Sequence, residues 1–422
     1  MSDLRTELEA MGARARSAYS VLSQLPHADR KRGLHAMARA IRSAAPAILT
    51  ANAADIAQAE KNHLSDAMRD RLLLNSARIE SIARGIEEAA MQPDPLGRTL
   101  DAWQVAHNGL HIEKRSIPIG VLAIIYESRP NVTADVAALC FLSGNACILR
   151  GGSESSASSR AILQAIHTAL REENLPLDAV QMVATQDRES VSHLLQMVGV
   201  IDLVIPRGGQ SLTEKVATES RVPTLLHLTG NCHSYIHESA VLPEALRVLH
   251  NAKLRRTGVC GATESLLIDR RIAAKFLPKI TDDLLAAGCE LRGCNESTTI
   301  DARIAPASET DWSMEYLAPI LSVKIVGNVQ EAIAHINRYG SHHTDAILAR
   351  DAAAIAAFEA GVDSAIVVVN ASTQFADGGE FGFGGEVGIA TGRLHARGPV
   401  GAAQLTTYKY CVRGTPEGTI RA

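Results

Sequence analysis

From Ile119 onward, short runs of wholly apolar residues alternate with stretches of helical periodicity, and this pattern constrains the fold more than any other feature of the chain. It predicts strands at Val121–Ile125, Ala146–Leu149, Val180–Val183, Leu203–Ile205 and Thr224–Leu228. Helices are expected between them at Thr133–Leu142, Ser156–Glu172, Glu189–Met197 and Ser211–Glu219. A strand that is apolar on every residue must be covered on both faces, as in a parallel sheet sandwiched by helices. A second series follows, with strands expected at Leu266–Ile268, Leu321–Val326, Ala346–Leu348 and Ala365–Val369 and a helix at Glu331–Tyr339. The fold class is therefore α/β, with two open α/β lobes. A length of 422 residues suits about two to three domains.

The first hundred residues read as helices. Ile79, Ile82, Ala83 and Ile86 recur at helical spacing behind a cap at Asn75 or Ser76. Pro93 and Pro95 end that helix. Asn108-Gly109 then sits between two stretches of strand-like sequence, and such a dipeptide supplies the two positive-φ positions of a tight hairpin. A lone hairpin is marginal in water, so this arm should lie against the body or a neighbouring subunit.

Charge excludes several classes of function. The 42 basic and 46 acidic residues leave a net −4, which provides no broad footprint for nucleic acid or anionic lipid. Aromatics make up only 4%, so stacking platforms for bases are not expected either. The core must be built mainly from Ala, Val, Ile and Leu. The charged beginning, Met1 to Glu7, lacks the apolar stretch of a secretory signal. The apolar run Ile117–Tyr126 is broken by Pro118 and Gly120 and is far shorter than a membrane helix. Seven dispersed cysteines without a CxxC pair argue against a disulfide scaffold or structural zinc, and for reduced thiols in the cytoplasm. His227, Cys232, His233 and His237 are close in sequence but lack zinc spacing, so no metal is expected.

Cys260 is the first candidate for chemistry. Gly258 and Gly261 flank it, and Lys253, Arg255 and Arg256 lie just upstream. Small neighbours expose a sulfur, and nearby cations favour the nucleophilic thiolate. The alternative is a small buried thiol, the ordinary fate of a free cysteine. Arg150-Gly151-Gly152-Ser153 and Arg207-Gly208-Gly209-Gln210-Ser211 each join an expected strand to an expected helix. That arrangement accepts phosphate through free N–H groups and the helix dipole. Neither is a GxGxxG or P-loop motif, and glycines that merely turn the chain are the alternative. A further glycine-rich segment, Gly378 to Glu386, is either a loop over a ligand or a surface crossing.

Together these stretches resemble the aldehyde dehydrogenase superfamily, and within it the γ-glutamyl phosphate reductase family of proline biosynthesis. The resemblance runs nearly end to end. It rests on Ile119 through Thr133, which includes Tyr126-Glu127-Ser128-Arg129-Pro130-Asn131, on Ser143 through Gly152, and on Ile205 through Gly209. Val369 through Thr373 and Leu394-His395-Ala396-Arg397-Gly398-Pro399 match as well.

The resemblance implies an aldehyde dehydrogenase-like fold with a Rossmann-like cofactor lobe, a catalytic lobe and a β-hairpin oligomerisation arm. The expected domains are an NADPH-binding domain at 1–98 and 118–228 and a catalytic domain at 229–390. The arm and C-terminal tail fall at 99–117 and 391–422. It implies that Cys260 is the nucleophile and that Asn131, displaced by two positions from the family's oxyanion asparagine, is the candidate for that role. For NADPH it implies Arg150 and Gly151 at the adenosine ribose, Gly208, Gly209 and Ser211 near the pyrophosphate, and Glu315 at the nicotinamide ribose. The implied substrate is L-glutamyl 5-phosphate, and the implied partners are further copies of the chain and glutamate 5-kinase.

Hydrolytic members of the superfamily place a water-activating glutamate in a Glu-Leu-Gly-Gly stretch; the corresponding residues are His227-Leu228-Thr229-Gly230. A reductase must keep its thioester intact until hydride arrives, so loss of that base is chemically sensible. Gly261 replaces an asparagine common after the nucleophile, but a backbone N–H donor survives. Two rivals remain at this point: another aldehyde or acyl enzyme on the same scaffold, and a catalytically silent binding protein.

Overall fold

The computed structural model describes residues 2–226, 229–415 and 420. Contacts divide them into two compact units. Unit 1 takes the residues up to 226, 382–388 and those from 400 on; unit 2 takes 229–381 and 389–399. The chain passes between units within the glycine-rich segment, which forms no regular element and holds Gly382, Gly384 and Gly385 at positive φ.

Unit 1 begins with helices Ser2–Leu22, His27–Ser43, Ala45–Lys61, Asp66–Leu72 and Ser76–Met91. The last is capped by the Asn75 side chain, which accepts the Arg78 N–H at 2.9 Å. Strands Val180–Met182, Ala146–Arg150, Val121–Tyr126 and Leu203–Arg207 lie in that order in a parallel sheet. Val121, Ala123 and Ile125 pack against Leu8, Met11 and Ala15 of the first helix. Leu122, Ile124 and Tyr126, on the opposite face, are equally buried. Each large aliphatic removed from water in this way contributes roughly 1.5–3 kcal/mol before entropy is counted. Of the expected strand at Thr224–Leu228, Thr224 makes a single bridge to Val204, while His227 and Leu228 lie outside the described residues.

The strand order fixes where a ligand can lie. The chain runs outward from Val121–Tyr126 through Ala146–Arg150 to Val180–Met182, then returns to place Leu203–Arg207 on the other side of the first strand. This reversal opens a crevice at the carboxyl ends of Val121–Tyr126 and Leu203–Arg207, the usual ligand position in open α/β sheets.

A separate antiparallel sheet joins Thr99–Gln104, His111–Pro118 and Thr406–Arg413. The expected hairpin forms, but with a different turn. Gly109 alone is left-handed (φ 69°), and the loop spans Val105 to Leu110 instead of two residues.

Unit 2 is built on seven parallel strands, in the order Ala305–Pro306, Glu290–Gly293, Ile320–Val326, Thr263–Asp269, Cys232–Ile236, Thr344–Leu348 and Ile366–Val369. Helices Leu242–Leu254, Arg270–Ala286, Val329–Tyr339 and Ala352–Gly361 connect them. Cys232–Ile236 has no apolar run in its sequence, yet every residue is buried. Its polar groups are satisfied inside: His233 meets Asp345 at 2.9 Å and Ser234 meets Thr263 at 2.8 Å. Among the described residues no helix is long and apolar enough to cross a membrane.

Candidate active site

In unit 1 the candidate residues gather at the carboxyl ends of the strands. Strand Leu203–Arg207 ends at Gly208-Gly209, and helix Gln210–Glu219 starts there with Ser211 exposed in its first turn. Gly209 N–H donates to Glu127 Oε2 at 2.9 Å, and a β-carbon on Gly208 would stand 2.4 Å from the same oxygen. Glu127 follows Tyr126 at the neighbouring strand end, so its carboxylate occupies the crevice just where a phosphate oxygen would accept. Sequence patterning did not single out Glu127; only the strand reversal reveals its position.

The Arg150 turn differs from its sequence expectation. The helix that follows, Ser156–Glu172, presents its first amides to a protein carboxylate: Asp55 accepts from Ala157 N–H at 3.2 Å and Ser158 N–H at 2.8 Å. A chain group therefore already satisfies the donors a phosphate would need. Arg150 is largely buried, and its guanidinium donates to the Gly151 and Gln186 carbonyls, each at 3.0 Å. Its Nε has no partner among the described residues. Burial lowers its pKa, with Glu154 opposing. Gly151 packs on the Tyr126 ring. Glu154 accepts from Ser128 N–H and Oγ at 2.6 and 2.7 Å and fixes Ser128 in a left-handed conformation (φ 46°).

Asn131, also in unit 1, is half-buried immediately before helix Val132–Leu142. Its amide donates to Asp135 Oδ2 at 2.9 Å. Burial lifts the Asp135 carboxyl to about 6, and the Asn131 amide opposes that rise.

In unit 2 the candidates lie instead at the amino ends of the strands. Cys260 is half-buried in the turn between helix Leu242–Leu254 and strand Thr263–Asp269. Among the described residues, neither its backbone N–H nor that of Gly261 has an acceptor. Two free donors beside a sulfur are what an oxyanion requires. Gly230 backs directly onto the turn, and its own N–H lies close enough to the Glu315 carboxylate to favour its charged form. Burial raises the Glu315 pKa, with that N–H, His343 and Lys253 opposing. The structure thus brings Cys260 and Glu315 together through one glycine.

The cations expected to activate Cys260 are arranged differently. Lys253 is fully buried and paired with Glu264, and Arg255 Nε donates to Gln374 at 3.1 Å. Cys232 lies beneath the turn, where its thiol donates to the Cys260 carbonyl at 3.1 Å. Burial pushes that thiol well up, so it remains a donor at neutral pH. Cys232, His233 and His237 are engaged by Cys260, Asp345 and Ser239 respectively, and His227 lies outside the described residues.

Comparison with known proteins adds a decisive observation. The family model for the aldehyde dehydrogenase family matches residues 3–299. A γ-glutamyl phosphate reductase from Hyphomonas neptunium is 56% identical over 406 residues, covering 96% of this chain and 95% of that protein. One from Rhodospirillum rubrum is 55% identical over 405 residues, with 96% and 95% covered. The crystal structure of γ-glutamyl phosphate reductase from Thermotoga maritima superimposes with a TM-score of 0.95 at 40% identity, covering 99% of this chain and 100% of that one. The chain belongs to the aldehyde dehydrogenase family, in its γ-glutamyl phosphate reductase branch. Enzymes of the aldehyde dehydrogenase family use a nicotinamide cofactor. The residues at the unit 1 crevice fit such a group. Gly208 keeps the turn free of a side chain of its own, with the Glu127 carboxylate filling the space a β-carbon would take, and Arg150 Nε is buried without a partner among the described residues.

Proposed function

We propose that this γ-glutamyl phosphate reductase relative reduces L-glutamyl 5-phosphate to L-glutamate 5-semialdehyde and phosphate, the second step of proline biosynthesis from glutamate, with NADPH as the reductant. The observation that carries the reading is Cys260, half-open in a turn whose two backbone N–H groups are unengaged among the described residues.

The Cys260 thiolate attacks the acyl carbon, forming a C–S bond. The C–O bond to phosphate breaks from the tetrahedral intermediate, and inorganic phosphate leaves with the electron pair. The Cys260 and Gly261 N–H groups hold the oxyanion, with Asn131 as the candidate side-chain donor. When bound, NADPH would supply the hydride that reduces the thioester carbonyl to the aldehyde level. The resulting oxyanion expels the Cys260 thiolate and releases the semialdehyde, whose free amine cyclises onto the carbonyl without catalysis. Position 227 carries histidine and not a carboxylate, consistent with a thioester spared from hydrolysis.

Gly208, Gly209 and Ser211 would face the pyrophosphate, Glu315 the nicotinamide ribose, and Arg150 with Gly151 the adenosine ribose. The orphaned Arg150 Nε supports a 2′-phosphate partner there. The antiparallel arm would join copies of the chain into a homo-oligomer, acting in the cytoplasm.

The test is the reverse reaction. Semialdehyde plus NADP⁺ should yield NADPH absorbance only when inorganic phosphate is present, and Cys260→Ala should abolish it while leaving cofactor binding intact. Phosphate-independent oxidation, or turnover by the alanine variant, would overturn the reading.

A further inference from the structure

Between Lys253 and Glu264 the chain leaves a helix, makes the turn that carries Cys260 and enters a strand. The two ends of this excursion meet in an ion pair with no exposure on either side chain. The other Glu264 oxygen accepts the Leu317 N–H at 3.2 Å. Leu317 is left-handed (φ 53°), a conformation that costs a non-glycine residue about 1 kcal/mol or more and persists only when its surroundings impose it. Two residues earlier, the Glu315 carboxylate lies beside the Gly230 N–H, and Gly230 abuts Cys260. The contacts close a ring from the turn through Lys253, Glu264, Leu317, Glu315 and Gly230 back to Cys260.

A buried ion pair is a poor stabiliser, since apolar residues of similar volume commonly serve as well or better. What this pair holds explains it better than what it contributes to stability. We infer that Lys253 and Glu264 are positioning residues, which set the separation between the Cys260 sulfur and the Glu315 carboxylate through the Leu317 amide. The inference rests on Cys260 as nucleophile and Glu315 as a cofactor contact.

Three full-length variants test it: Glu264→Gln, Glu264→Met and the double Lys253→Met/Glu264→Leu. Glutamine keeps an acceptor for Leu317 but strands a buried lysine, so it should be less stable than the parent. The double variant removes both charges and should match or exceed the parent in thermal midpoint. Positioning predicts that activity departs from stability. Glu264→Gln should keep about a third of the parent kcat despite its low midpoint, while the double variant loses roughly tenfold despite its high one. Activity that follows the midpoints, with the double variant fastest, would overturn the inference. Should the double variant not fold, Glu264→Gln and Glu264→Met still differ in the Leu317 acceptor while both strand Lys253. Glutamine must then be faster by about fivefold, and equal rates would refute the inference. Peptide mapping of iodoacetamide-labelled parent enzyme separates the two readings: a fast-labelled cysteine other than Cys260 defeats the nucleophile assignment itself.

Discussion

Gly230 and Cys260 meet backbone to backbone. A β-carbon on Gly230 would stand 2.4 Å from the Cys260 carbonyl oxygen, 2.6 Å from its α-carbon and 2.7 Å from its β-carbon. Real β-carbons do not approach so closely, and none of the three atoms lies at the yielding end of a flexible side chain. Gly230→Ala must therefore displace the turn that carries the sulfur, and it also disturbs the Gly230 N–H beside the Glu315 carboxylate. Overpacking of this kind costs about 1–3 kcal/mol, which a folded variant can tolerate. A shift of about 1 Å at a reacting atom can cost 10²-fold in rate. The variant should stay folded by circular dichroism and lose about two orders of magnitude in kcat. A kcat within about twofold of the parent would show that the contact does not position the nucleophile.

Glu127 places a carboxylate on the Gly209 N–H, at the first turn of helix Gln210–Glu219. In the proposed cofactor pose, an incoming pyrophosphate would compete with it for that donor and be repelled by its charge. Removing the charge should favour the cofactor, because an anion at a helix N-terminus is worth roughly 0.3–1 kcal/mol and the competing carboxylate is lost as well. Glu127→Gln should bind NADPH up to about fivefold more tightly in a fluorescence titration. Weaker binding would show instead that the carboxylate contacts the cofactor, for example at a ribose hydroxyl.

The Asp135 carboxyl gives a pH dependence with a defined sign. Burial lifts it from the ordinary 3.8 to about 6. Between those values the folded protein holds a proton that the unfolded chain has released. The stabilisation is therefore full below about pH 4 and is lost as pH rises through about 6. At about 1.4 kcal/mol per unit, the change amounts to about 3 kcal/mol. Urea unfolding of the parent and Asp135→Asn across pH 4–7 should show the parent losing that much relative to the variant as pH rises. Parallel stability profiles would contradict it.

The sequence disclosed what depends on neighbouring residues and hid what depends on distant ones. Val121–Tyr126 and Ala146–Arg150 were legible because burial on both faces writes itself as an unbroken apolar run. Cys232–Ile236 was illegible because its polar side chains find buried partners far along the chain, such as Asp345. The same division holds in the site. Flanking glycines marked the Cys260 turn, whereas Lys253 read as a cation favouring the thiolate, and only the fold shows that it is buried against Glu264. The Arg150 turn had the pattern of a phosphate cradle, but nothing in the pattern could show that Asp55, a hundred residues earlier, caps the helix. Nor could it show that unit 2 mounts its candidates on amino ends of strands and unit 1 on carboxyl ends.

The antiparallel arm carries the remaining prediction. Its outer strands, Thr99–Gln104 and Thr406–Arg413, have no partner on their outer sides among the described residues. Such edges expose unpaired backbone donors and acceptors, and proteins usually protect them with charge or proline. Here Trp103, Tyr408, Tyr410 and Val412 are all exposed, and the Trp103 and Tyr410 rings meet edge-on at 6.1 Å. An open edge dressed with aromatic and aliphatic side chains suits continuation of the sheet by a second copy of the chain. Placing lysines on it, in Tyr410→Lys/Val412→Lys, should block that pairing while sparing both α/β sheets. Light scattering at micromolar concentration should then report a smaller assembly than the parent forms, with the thermal midpoint of the isolated protomer little changed. An unchanged mass would remove the arm from the assembly interface.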